Sequence, residues 1–167
     1  MTSYAAFLRG VSPMNAKSHE LVRAYEKAGF TDVATVAASG NVVFRAKGAL
    51  KSIEKRAESA TKFAPFVRPI AELEALLASD PFAALELPRN AKRVITFLRA
   101  RPAHPPKLPV TRQKATIYKL VGREALSAYV VQPGNPVFMA LLDATFGKDI
   151  TTRTWDSLAR VVARAPG

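Results

Sequence analysis

The chain opens with an apolar, aromatic run, Tyr4 to Arg9, that stops at Gly10. A continuous apolar stretch of that length, closed by a turn residue, predicts a buried strand. Gly10–Lys17 then reads as a loop, with Pro13 and Asn15 as turn residues. From Ser18, a suitable N-cap, the period changes. Leu21, Ala24, Tyr25 and Ala28 fall at i, i+3, i+4 and i+7, and Gly29 stands where a left-handed glycine ends a helix, so the spacing predicts a helix over 18–28. Val33–Ala38 and Asn41–Ala46 are short β-rich runs joined by Ser39-Gly40-Asn41, a hairpin signal. Leu50, Ile53, Ala57 and Ala60 line one face of a second helix over 49–62, with Glu58 and Lys62 at i, i+4 outside. Phe66–Ile70 follows as a short strand. Strand, helix, strand, strand, helix, strand is the order of a ferredoxin-like plait, in which right-handed crossovers put both helices on one face.

The second half is less regular. Leu73, Leu76 and Leu77 mark a helix over 71–79, ended by Asp80-Pro81 because proline disfavours helical geometry in the residue before it. Residues 81–92 read as a connection containing Pro81 and Pro88. Val94–Arg99 is an apolar strand. Pro102, Pro105, Pro106 and Pro109 make 101–112 extended and irregular. Ala115–Val121 and Ala125–Gln132 predict a second hairpin turning near Gly122. Asn135 suits a cap and Pro136 a first helical position, with Phe138, Leu141, Leu142 and Thr145 inward and Gly147 as the stop. A fourth strand fits near 149–152. Thr154 caps a last helix over 155–164, with Trp155, Leu158 and Val162 on one face and Asp156 suiting its first turn. The predicted class is α+β: two ferredoxin-like plaits packed together, antiparallel sheets with helices on one face. The predicted division is an N-terminal plait over 1–80 and a basic, plait-like half over 81–167. No internal sequence repeat is visible.

Composition changes this picture in three ways. Hydrophobic residues make up 49% and mean hydropathy is +0.02, enough for a core rather than a disordered chain. No apolar run approaches the roughly 20 residues of a membrane span, and the first residues lack the pattern of an export signal. A cytoplasmic location without membrane attachment is therefore expected. The absence of cysteine removes disulfides, thiolate metal sites and a cysteine nucleophile.

Charge adds a further change. The chain carries a net +12 with a pI near 10.4. Between Glu86 and Glu124 stand ten basic residues and no acidic one: Arg89, Lys92, Arg93, Arg99, Arg101, Lys107, Arg112, Lys114, Lys119 and Arg123. Such a field attracts polyanions. The expected function is non-catalytic binding of nucleic acid or another polyanion, with Arg93, Arg99, Arg101, Arg112, Lys114, Lys119 and Arg123 as candidates. Phe97, Tyr118 and Tyr129 stand among them as aromatic partners for bases. A solvated basic surface accounts for the same composition.

Three stretches in order, AAFLRGVSPMNAK, GFTDVATVAASGNVVF and FGKDITTRTWDSL, give the chain a resemblance to the domain of unknown function 1697 family over essentially its whole length. The resemblance implies two ferredoxin-like plaits and no activity. It points to Arg9, Gly10, Ser39, Gly40, Asn41, Arg153 and Trp155 as recurring motif positions. Thr154 and Asp156 replace asparagines of the family's T-T-R-N-W-N pattern, and Val11–Asn15 replaces a glycine-richer loop.

Catalytic signatures are missing. The chain has no Walker loop, no G-x-G-x-x-G and no G-x-S-x-G. His19 and His104 stand 85 positions apart, without metal-ligand spacing. No metal or cofactor is expected, and protein partners are not legible. The alternative function is binding of a small anionic ligand or nucleotide by Arg9, Ser39, Asn41 and Arg153, because arginine grips phosphate or carboxylate through paired hydrogen bonds. Turn and cap chemistry explains the same residues. An enzyme without a recognisable motif is the third possibility. Trp155 reads as packing rather than a stacking platform.

Overall fold

The computed structural model describes residues 1–37, 40–134 and 137–167. The described residues form a mixed α+β structure of two antiparallel sheets and five helices. Two compact units emerge: Met1–Ser79 with Ser157–Gly167, and Asp80–Asp156. No helix among the described residues is long and apolar enough to cross a membrane.

The first unit holds β1 (Thr2–Leu8), α1 (Ser18–Lys27), β2 (Thr31–Thr35), β3 (Asn41–Ala46), α2 (Leu50–Ala60), β4 (Pro65–Pro69) and α3 (Ile70–Ser79). Its sheet runs β2-β3-β1-β4. Side chains alternate across a strand, so Tyr4, Ala6 and Leu8 of β1 share a face with Val42, Phe44 and Ala46 of β3. Leu21 and Tyr25 of α1 and Ile53 and Ala57 of α2 close that face into one core. At its centre Phe30 stacks on Phe44, ring centroids 4.3 Å apart, and Tyr25 meets Phe44 edge-on at 5.5 Å. The Tyr25 hydroxyl is buried there without a hydrogen-bond partner among the described residues. Burial alone pushes its phenol well above the usual tyrosine range. Ala5, Phe7, Val43, Phe66 and Arg68 are buried on the opposite face. α3 packs against β1 and β4, and the Ser3 hydroxyl donates to the Pro166 carbonyl at 2.6 Å.

The second unit holds β5 (Lys92–Leu98), β6 (Val110–Arg112), β7 (Ala115–Val121), β8 (Glu124–Tyr129), α4 (Val137–Phe146) and β9 (Ile150–Thr154). α5 (Trp155–Arg164) begins in this unit and continues into the first. The sheet runs β6-β7-β8-β5-β9. Leu98, Ala115, Ile117, Ala125 and Ile150 form a core with Leu141 and Leu142 of α4. Register shifts between Ile117 and Lys119, so Tyr118 sits at a bulge. A corner cluster joins Phe82 to Trp155, edge-on at 5.1 Å, with the Arg93 guanidinium 5.9 Å from the Phe82 ring.

Several sequence expectations shift by local chemistry. Lys17, not Ser18, occupies the N-cap of α1, and no side chain caps it. β2 ends at Thr35, before the backbone turns left-handed at Ala37 with φ of 57°. The last three residues of the proline-rich stretch pair with β7 as β6. The strand expected near 149–152 extends to Thr154, so Thr154 ends a strand where α5 begins. Ala38, Ser39, Asn135 and Pro136 lie outside the described residues, and with them the Ser39 turn and the Asn135 cap.

Candidate functional site

Strand pairing decides which basic residues meet. In antiparallel neighbours, paired residues point to the same face. Arg112 pairs with Ala115, Ala115 with Tyr129, and Tyr129 with Lys92. These four residues therefore form one row across β6, β7, β8 and β5, on the face that α4 covers elsewhere. At a strand spacing of about 4.8 Å, Arg112 and Lys92 start about 14 Å apart at the backbone. Tyr129 stands between them, half-buried and stacked on Phe138 of α4 at 4.5 Å with the ring planes 14° apart. Lys114 is exposed at the adjoining β6–β7 turn, where its carbonyl accepts a hydrogen bond from Val130 N–H at 3.0 Å. Among the described residues, Lys92, Arg112 and Lys114 are exposed and make no ion pair.

The remaining candidates lie elsewhere in the same unit. Arg93 points to the opposite face and pairs with Asp156 at 3.4 Å. Arg99 lies just past the far end of β5 and grips Asp149 through Nε at 3.1 and 3.2 Å. Arg123 lies at that same end, where its carbonyl accepts from Leu98 N–H at 3.0 Å. The six residue steps of β5 from Lys92 to Leu98 separate the two ends by roughly 20 Å. Lys119 pairs with Leu126 in mid-sheet, away from the Tyr129 row. Arg101 is exposed in the proline-rich segment. The acid-free stretch thus divides between two ends of a sheet. Phe97 is fully buried and offers no ring to a base. Lys92 and Phe138 join the site only through register and helix packing. The one signal in the sequence is the proximity of Lys92 to the apolar run 94–98.

At the first sheet, Arg9 and the Gly40-Asn41 pair are neighbours. Phe7 pairs with Asn41, and Leu8 N–H donates to the Gly40 carbonyl at 2.7 Å. Asn41 is buried, and its side-chain Nδ2 donates to the Val36 carbonyl at 3.1 Å while the Asn41 backbone carbonyl accepts from Val36 N–H at 3.0 Å. Its side chain closes the hairpin. Arg9 is exposed. Two residues on, Val11 lines a cavity of about 280 Å³ with Pro13, Ala16, Lys17, Ser18, Leu21, Thr35 and Gly40. Asn15 fixes the loop that walls it, donating to the Gly10 carbonyl and accepting from Ser12 N–H, both at 2.8 Å. Arg153 belongs to β9 of the second sheet. It donates to the Thr151 hydroxyl at 2.9 Å and the Thr152 carbonyl at 2.7 Å, and desolvation lowers its pKa to about 10. It remains a cation at neutral pH. No group of three or more potential metal ligands occurs among the described residues.

A conserved bacterial protein SP0830 from Streptococcus pneumoniae has the same overall fold, with a TM-score of 0.67 at 17% identity. The alignment covers 98% of this chain and 97% of that one. No curated protein matches the chain. The family model of proteins of unknown function DUF1697 matches residues 1–125, which include Arg9, Gly10, Gly40 and Asn41 and end before the tail at 146–158. The chain belongs to the DUF1697 family.

Proposed function

We propose that this protein binds a polyanion, in the first instance single-stranded nucleic acid, through the Lys92–Tyr129–Arg112 end of the second sheet. The observation that carries the reading is the row itself: two cations without ion-pair partners among the described residues flank a half-buried aromatic ring. Cations that track a phosphate backbone, with a ring on which a base stacks, are the components of single-strand binding. Three phosphate contacts, by Lys92, Arg112 and Lys114, correspond to a slope of about −2 in log K against log salt for a single strand. Fluorescence anisotropy of a labelled oligothymidylate or oligouridylate over a salt series tests this. The double variant Lys92→Glu/Arg112→Glu is expected to lose binding and flatten the slope. Binding that ignores salt, or that survives the double variant unchanged, refutes the reading.

The reading includes a fold assignment. Both units are taken as ferredoxin-like plaits. Numbered from the first strand of each unit, β2-β3-β1-β4 and β7-β8-β5-β9 follow one order, with β6 added at an edge of the second. In the second unit the proline-rich segment with β6 stands where the first has α1. The setting proposed is the cytoplasm, in keeping with a cysteine-free chain.

A second reading has its own observation. The cavity of about 280 Å³ suits a small anion such as phosphate, with Lys17 in its lining and Arg9 two residues before the lining residue Val11. A thermal-shift series with phosphate and nucleotides, repeated on Arg9→Ala, tests it. Equal shifts for both proteins exclude that site.

A further inference from the structure

The outer sides of α1 and α2 leave a groove of about 920 Å³ between them, lined by residues that neither region above uses. That volume falls within the 300–1,000 Å³ common for small-molecule sites. Its walls run from Glu20 to Ala28 on α1 and from Ser52 to Ala60 on α2. At about 1.5 Å per residue each wall is roughly 12 Å long.

The groove is polarised along that length. Arg56 of α2 donates to the Ala28 carbonyl through Nε at 3.2 Å and Nη2 at 3.1 Å, and its guanidinium lies 4.5 Å from the Phe30 ring centroid. Arg56 is thereby committed to holding α2 against the C-terminal end of α1. Its neighbour Lys55 and Ala28's neighbour Lys27 both line the groove, so two ammonium groups flank that end. Both are exposed and make no ion pair among the described residues. Arg23, one turn before Lys27, also lines the groove. Like charges at i and i+4 repel on a helix surface. Glu20, the one acidic lining residue, stands three residues before Arg23 and about two turns from Lys27. Between the ends the lining is alanine, serine and the aliphatic stems of the basic residues, which cover apolar surface while their charges reach water.

We infer that the α1–α2 groove binds a small organic anion with an elongated apolar body, its carboxylate held between Lys27 and Lys55 and its chain lying along Ala24 and Ala60. Charge complementarity selects the anionic head, and the length of the walls suits a medium-length acyl chain. The site is independent of the polyanion reading.

Decanoate is the probe, with decanol as the uncharged control, in a titration of the ¹⁵N-labelled full chain followed by amide shifts. Decanoate is expected to saturate, moving resonances of residues 20–28 and 52–60, while decanol binds at least about tenfold more weakly. Lys27→Glu/Lys55→Glu, two exposed changes that leave the core intact, is expected to weaken decanoate binding by a similar factor with an unchanged spectrum elsewhere. Shifts centred outside the two helices, equal affinity in the double variant, or no saturation below the micelle concentration each overturn the inference. So does an oligonucleotide that moves these resonances when decanoate does not, since the groove then extends the polyanion surface.

Discussion

Replacing Tyr25 by Phe removes one oxygen atom from the centre of the first core. The Tyr25 ring packs on Phe30 at 5.6 Å and Phe44 at 5.5 Å, and Phe keeps every one of those contacts. What disappears is a buried hydroxyl without a hydrogen-bond partner among the described residues. Leaving such a group unsatisfied costs about 1–3 kcal/mol. The vacated space, roughly 10–15 Å³ on the scale of one water-sized sphere, costs about 0.2–0.4 kcal/mol at 24 cal/mol per Å³. The expected net effect is a gain of about 0.6–2.8 kcal/mol, or roughly 1–11 °C in Tm for a chain of this length. Urea unfolding of both proteins measures it. The same atom gives a pH signature. Burial raises the folded-state pKa of Tyr25, so the unfolded chain loses this proton first, near pH 10. Below that pH both states hold the proton and the contribution is constant. Above it the unfolded state binds fewer protons, and stability falls by up to about 1.4 kcal/mol per pH unit. Tyr25→Phe lacks that term, so its advantage is expected to widen above pH 10. A variant less stable than the parent by 1 kcal/mol or more, or an advantage that stays flat with pH, refutes the argument.

Asn41→Ala removes the buried amide that closes the β2–β3 hairpin, with an expected loss of about 1–3 kcal/mol by urea unfolding. Arg56→Ala leaves the Ala28 carbonyl without its guanidinium and uncovers Phe30. It is expected to cost about 1–2 kcal/mol, with hydrogen exchange faster at the end of α1 than in β5–β9. Tyr129→Ala is expected to weaken oligonucleotide binding by about 1–3 kcal/mol without changing the salt slope, because it removes stacking and no charge.

Much of the fold was legible because its signals are local. β3 and β7 lie where period and flanking glycines predict them, and α5 lies where its apolar spacing does. β6 was not legible. It is a three-residue, largely exposed strand that follows four prolines, and its existence depends on pairing with β7. The candidate site was less legible for the same reason. Arg112, Tyr129 and Lys92 span 37 positions, and register alone makes them one row. Arg93 and Arg99 read like the other basic residues in the sequence, yet each is engaged by an aspartate more than 45 positions away. Arg9 and Asn41 come together through the pairing of β1 with β3, a contact that hairpin chemistry does not announce.

β4 is an edge of the first sheet and begins and ends in proline, Pro65 and Pro69. Neither residue has an amide hydrogen, and they stand four positions apart, so both gaps lie on the same side of the strand. Proline is tolerated in sheets where its missing donor faces away from the neighbouring strand. Of positions 65, 67 and 69, which share the outer side of β4, two therefore carry no amide hydrogen. A second copy arriving edge to edge finds too few donors to extend the ladder. With a net charge of +12 adding repulsion between copies, the chain carries a backbone safeguard and an electrostatic one against fibrous self-association.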